Sequence, residues 1–330
     1  MSQPKVVALE EHWWPAELAT ALHRLPPARR DDGLEWFNGG ERARRLADLD
    51  DERLRDMDAQ GVDVSVISVT TPGVQPLRAA EAVALARAAN DEAAAAVARH
   101  PNRLAAFATL PTPDGEAAAA ELERAVETLG MRGAMLHGRT GDRHLDDPAL
   151  GDMFAVAGRL DVPLYIHPQM PSRDVRSSYY DGFSGSVDAY FAGGGWGWHM
   201  ETGIEAVRLI LAGTFDRIPN LQIVLGHWGE MVVFFLERLD IISRVSKLQR
   251  SVADYVKQQF SVTPSGILNQ RLLVRAIEEI GVERVMLSTD YPFQYDPERN
   301  LKTFLARSQL SSEDQQAVAA ANAVRLLGLT

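Results

Sequence analysis

The 330-residue chain contains no cysteine. That excludes disulfides, thiolate metal sites and cysteine nucleophiles. Basic residues are in deficit: 34 Lys and Arg against 45 Asp and Glu leave a net charge of −11, with no basic block. Nucleic acid and anionic membrane surfaces are therefore poor partners, and an acidic substrate must be attracted locally, by a metal ion or individual arginines. No uncharged apolar run approaches the roughly 18 residues of a membrane span. The N-terminal MSQPKVVALEEH lacks the charged and apolar regions of a signal peptide. These absences lead us to expect a cytoplasmic protein. No Gly-x-Gly-x-x-Gly follows the first apolar run, which weighs against dinucleotide binding.

What is present is an alternation of apolar runs and helical patterns from end to end. Strands are predicted at Val6–His12, Val62–Thr70, Arg103–Leu110, Gly133–Gly138, Pro163–His167, Gln222–His227, Gln259–Val262 and Arg284–Asp290. Most are continuously apolar, as parallel strands buried on both faces must be. Between them, Leu77–His100 is Ala-rich, Gly115–Leu129 has helical spacing with Gly130 placed to end it, and Ser311-Ser312-Glu313-Asp314 opens a final helix. Eight such units predict a (β/α)₈ barrel, a fold of about 250 residues that carries its excess as loop insertions. The excess lies in Trp13 to about Asp50 and Pro168 to about Trp198, both read as loops walling the active site. No linker or repeat divides the chain, so residues 1–330 are expected to form a single domain.

Four runs end in residues that bind metals or move protons: KVVALEEH, VPLYIHP, IVLGHWGE and VMLSTDYPF. In a barrel, strand C-termini converge on one site. Glu10 and His12 share a strand face and can reach one metal, with Glu11 turned the other way; the alternative is a polar strand end meeting solvent. His167 ends a strand before Pro168, as a metal ligand or as a core histidine bonded to backbone. Asp290 emerges from a buried strand, costly unless paired or bound to a cation, and Pro292 two residues on argues against its being a simple helix cap. In GHWGE, Glu230 is expected to open a helix and bond one ring nitrogen of His227, orienting an acid/base histidine. Arg238 can grip a carboxylate or sit solvated on the surface. His137 ends the fourth strand and is a candidate substrate contact. Trp13, Trp14, Trp196 and Trp198 can stack on a planar substrate or pack, and Phe293 closes the STDYPF segment.

These segments, with WHMETGIEAVRLILAGTFDRIPNLQIVLGHWGE and the terminal NAVRLLGL, resemble the amidohydrolase superfamily. More narrowly they resemble its decarboxylase branch, and within it the γ-resorcylate and 2,3-dihydroxybenzoate decarboxylases, which share the Glu-x-His of the first strand. The resemblance implies a distorted (β/α)₈ barrel holding one divalent metal, Mn²⁺ or Zn²⁺ with Mg²⁺ also admissible. Glu10, His12, His167 and Asp290 match the metal-site positions. His227 matches the histidine near the metal and Glu230 its carboxylate partner. Arg238 matches a substrate arginine that in some members reaches a neighbouring subunit. His137, Trp13 and Phe293 fall among the substrate contacts, with His137 standing where a smaller or amide residue is expected. The implied activity is non-oxidative decarboxylation of a hydroxybenzoate-type acid, with Asp290 as proton donor, in a homodimer or homotetramer. A lactonase-type hydrolase, a hydratase and a non-catalytic binding protein are the competing readings.

Overall fold

The structure, a computed structural model, describes residues 5–27, 29–31, 33–34 and 39–329. Part of the first insertion therefore lies outside the described residues. The strands are β1 Val7–Trp13, β2 Val64–Val69, β3 Leu104–Ala106, β4 Ala108–Thr109, β5 Ala134–Leu136, β6 Leu164–Ile166, β7 Ile223–Leu225 and β8 Phe260–Val262. All pair in parallel, β1-β2-β3 and β4-β5-β6-β7-β8.

The two sheets form one ring. The expected third strand appears as β3 and β4, and Phe107 between them joins the sheets: its N–H donates to Ile67 of β2, and the next N–H, of Ala108, donates to Gly133 before β5. The expected eighth strand makes only single bridges, Val262 to Val285 and Ala8 to Leu287. Those bridges, with Met286 N–H donating to Val262 and Leu9 N–H to Leu287, close the barrel back onto β1. Every residue of each named strand is buried, which explains why the runs read as continuously apolar.

Helices cover the outside. Ala79–Arg99 lays Ala82, Ala86, Ala89, Ala93 and Ala96 against the ring, small side chains that permit close approach. Gly115–Glu127 begins where Asp114 accepts from Ala117 N–H at 3.1 Å. Ser311 caps the last helical stretch by accepting from Asp314 N–H. Both insertions depart from the expected loops. The first carries helices Ala16–His23 and Gly40–Ala47, with a further helix Asp51–Gln60 following it, and the second Arg173–Tyr179 and Gly185–Ala192. The second pair bury almost nothing, only Ala192 between them, so no apolar stripe announces them in the sequence. None of the described helices is long and apolar enough to cross a membrane.

Inside the ring, Val7, Leu9, Val66, Phe107, Met135, Tyr165, Val224 and Met286 form one cluster, closed at the base by Ala323 and Leu327 of the last helix. Polar groups gather above it, at the strand C-termini. Phe107 is 2% exposed and packs against Tyr165 at 6.2 Å between ring centroids. Phe107→Ala should cost about 3–5 kcal/mol in urea unfolding. Val245→Ala, at a position 83% exposed, should stay within about 0.5 kcal/mol. Equal effects would contradict the packed interior.

Candidate metal centre and acid–base residues

The centre begins with an irregularity in β1. Val7 and Leu9 belong to the interior cluster, so plain alternation would send Glu11 inward. Between Ala8 and Glu11 the pairing slips: Ala8 lies opposite Ser65, but Glu11 lies opposite Ile67. One extra residue is taken up, as in a β-bulge, and the strand is re-aimed. Glu10 and His12 then face the interior, while Glu11 accepts from Thr289 N–H at 2.8 Å and Thr289 hydroxyl at 2.6 Å. The remaining groups need no such device. His167 follows interior Tyr165 by two residues, His137 follows Met135 by two, and Asp290 follows Met286 by four.

Glu10, His12, His167 and Asp290 each offer a ligand atom, all within 4.8 Å of one another. Glu10 Oε1 lies 3.3 Å from His167 Nε2 and 3.8 Å from His12 Nε2, and His12 Nε2 lies 3.6 Å from Asp290 Oδ1. His167 directs its other nitrogen, Nδ1, at the Pro168 carbonyl at 2.8 Å, so Nε2 keeps its lone pair for the centre. Glu10 Oε1 and His12 Nε2 are buried and make no hydrogen bond among the described residues. Buried polar atoms are rarely left so, and a cation between them would satisfy both. Burial pulls the His12 imidazole down to about 4, which keeps it neutral and able to ligate. Burial opposes ionisation of Glu10, but the imidazoles of His12 and His167 facing it, with the charge of His227, outweigh it and hold the carboxyl well below its usual range. Burial, then repulsion from Glu10, pushes Asp290 well above it. Two carboxylates and two imidazoles fit a divalent ion, whose charge relieves that repulsion.

His227 and Glu230 meet as expected, at 2.8 Å between Nδ1 and Oε1, but not through a helix start. Residues 227–231 form a continuous left-handed turn, with φ of 47° at His227, 62° at Trp228, 89° at Gly229, 50° at Glu230 and 67° at Met231. That coil folds Glu230 back under the ring of His227. It is pinned by Trp228, whose Nε1 donates to Ile267 O and whose backbone N–H donates to Thr263 O, both at 2.8 Å. Burial disfavours a charged His227, but the carboxylates of Glu230, Glu10 and Asp290 prevail and raise it to about 10.

Among the other candidates, His137 is 1% exposed, with its ring centroid 5.4 Å from that of His167 and neither nitrogen hydrogen-bonded among the described residues. Phe293 meets His12 edge to face at 5.6 Å, and Trp198 meets His167 at 6.4 Å. Trp13 takes the packing alternative: it is 1% exposed within the core between strands and helices. Arg238 is exposed on the short helix Leu236–Leu239.

Three residues escaped the sequence reading. His199 places Nδ1 2.7 Å from Glu230 Oε2, so one carboxylate lies between two imidazoles, and its Nε2 faces the Gly194 carbonyl at 3.1 Å. Tyr165 and Ser265 both donate to Glu10 Oε2. Tyr165 carried a signal, since it precedes His167 by two and so shares its face. His199 and Ser265 carried none: they are 31 and 255 residues from their carboxylates.

A family model described as amidohydrolase matches residues 10–329. The γ-resorcylate decarboxylase of a Rhizobium species is 35% identical over 337 residues, covering 98% of each chain. Among solved structures, 5-carboxyvanillate decarboxylase from Novosphingobium aromaticivorans, complexed with manganese and 4-hydroxy-3-methoxy-5-nitrobenzoic acid, superposes with a TM-score of 0.91 at 30% identity, over 99% of this chain and 96% of that one. A dihydroxybenzoic acid decarboxylase from a Polaromonas species, with bound manganese and the inhibitor 2-nitroresorcinol, gives 0.85 at 32%, over 99% and 97%.

A cation that binds only the folded chain stabilises it by about 2.7 kcal/mol at a hundredfold excess over its dissociation constant. Mn²⁺ should therefore raise the thermal midpoint of metal-depleted protein. In His167→Ala the same addition should leave the midpoint unmoved; a full response there would place the ion elsewhere.

Proposed function

This chain belongs to the amidohydrolase family, and from that premise we propose that it is a metal-dependent decarboxylase of a hydroxybenzoate-type aromatic acid, working without an oxidant. Residues 1–330 form its single catalytic barrel domain. The observation that carries the reading is the pair of buried, unbonded ligand atoms, Glu10 Oε1 and His12 Nε2, facing His167 and Asp290 beside an oriented histidine.

Glu10, His12, His167 and Asp290 are assigned to the ion, for which Mn²⁺ or Zn²⁺ suits the mixed imidazole and carboxylate set, with Mg²⁺ a harder substitute. When bound, such an ion supplies the positive charge that draws in the substrate carboxylate and its adjacent phenolic oxygen. Asp290 donates a proton to the ring carbon that bears the carboxylate, and aromaticity is lost there. The bond to the carboxylate then breaks, its electron pair returns to the ring, and CO₂ leaves. Asp290 ends ionised and regains a proton from solvent, so each turnover consumes one proton and releases one CO₂. His227, its Nδ1 held by Glu230, donates from its other nitrogen to the phenolic oxygen. His137 and Phe293 contact the aromatic ring of the substrate. Arg238, exposed on its own protomer, serves a neighbouring site in a homodimer or homotetramer.

Manganese-loaded protein offered a panel of ortho-hydroxybenzoates and small lactones should release CO₂ and a phenol from at least one benzoate. Lactone opening without CO₂ would assign the same centre to a hydrolase. Asp290→Asn should retain Mn²⁺ while kcat falls about 10²–10⁴-fold. Turnover near the parent rate would remove Asp290 as the proton donor.

A further inference from the structure

Glu10 presents its two oxygens to different surroundings. Oε2 accepts from the Tyr165 hydroxyl at 2.6 Å and from the Ser265 hydroxyl. Oε1 is buried and has no hydrogen-bond partner among the described residues. We propose that Tyr165 and Ser265 are positioning residues that make Glu10 a one-oxygen metal ligand, holding Oε2 away from the ion and leaving Oε1 to it. The inference rests on the assignment of Glu10 to the metal.

Three features show a built arrangement. Thr263 Oγ1 lies 2.7 Å from Tyr165 Oη. Because the Tyr165 proton points at Glu10, Thr263 supplies the hydrogen of this second bond and fixes the rotation of the phenol. Ser265 is tied at two further points: its Oγ accepts from His227 N–H at 2.8 Å, and its own N–H donates to Ser288 Oγ at 2.8 Å. Ser288 lies two residues before Asp290, so one serine ties Glu10 to the backbone of His227 and to the strand that ends in Asp290. The third feature is Gly226. A Cβ there would lie 2.6 Å from Ser265 Oγ, 2.9 Å from Tyr165 Oη and 3.0 Å from Glu10 Oε2. Only a residue without a side chain lets these three oxygens meet.

The consequence is a limit on what the protein gives the ion. With Oε2 occupied, Glu10 contributes one donor rather than two. Coordination positions then stay open for a chelating substrate, and ions that favour bidentate carboxylates, Ca²⁺ above all, lose an advantage. Hydrogen bonds behind a ligand typically alter metal affinity about 10–100-fold.

The test reads metal, not turnover. Manganese-loaded wild type, Tyr165→Phe and Ser265→Ala are titrated with a chelator, and retained Mn²⁺ is followed by electron paramagnetic resonance. Ca²⁺ competition is measured in parallel. Tyr165→Phe keeps the ring that packs on Phe107, and Ser265→Ala serves as the second probe if that variant folds poorly. We expect Mn²⁺ to bind about 10–100-fold more weakly in each variant, with Ca²⁺ gaining on Mn²⁺. Mn²⁺ affinity and Ca²⁺ discrimination within twofold of wild type in both would overturn the proposal, as would wild type that holds no Mn²⁺. If the variants behave as expected but no hydroxybenzoate loses CO₂, the positioning role stands and the decarboxylase reading falls.

Discussion

Glu10 and Asp290 bring two carboxylates into one buried space, where like charges repel through a low dielectric and the two resist being ionised together. Much of the local architecture answers that repulsion. Glu10 receives two hydroxyl donors on one oxygen and faces two imidazoles with the other. Asp290 is left with a high proton affinity by burial and by the charge of Glu10. A third carboxyl, Glu11, is kept apart on the opposite side of β1. Burial raises it to about 7, against the opposing pull of its bonds from Thr289 and the nearby Arg53. The barrel supplies the means of separation: its interior is apolar below and polar only where the strands end.

A second cost is conformational. Four non-glycine residues between His227 and Met231 occupy the left-handed region, at about 1–3 kcal/mol each in an unsupported chain. The turn persists because its surroundings leave it no alternative. Trp228 is fully enclosed and bonded at both its indole and its backbone nitrogen. In return the carboxylate of Glu230 lies under the ring of His227, a geometry that a helix beginning at Glu230 would not provide.

The sequence made the barrel legible because its strands are enclosed on both faces, so hydrophobic runs and strand positions coincide. His167 and Asp290 were legible as polar residues closing apolar runs. Glu10 and His12 were placed on one face correctly, yet by an argument that ignored the bulge; counting from Val7 and Leu9 would have selected Glu11. The helices of the second insertion were illegible because they bury almost no apolar surface. Trp13 misled because a strand-end tryptophan reads alike whether it faces substrate or core. The turn at 227–231 could not be foreseen, since its conformation is imposed by Thr263, Ser265 and Ile267 from a different strand end. His199 was invisible for the same reason: its meaning lies in a carboxylate distant in sequence.

That last contact has a bearing on how such a chain can diversify. The segment from Pro168 to Trp198 leaves the barrel, forms two largely solvent-facing helices and returns. Over most of that length a changed side chain meets solvent rather than the buried centre. At His199 the freedom ends. The first turn of helix Gly197–Leu211 is fastened to the carboxylate that orients His227, so the angle at which the insertion rejoins the barrel is inherited by the His227 ring. Latitude in the insertion and constraint at the buried centre thus meet at a single side chain.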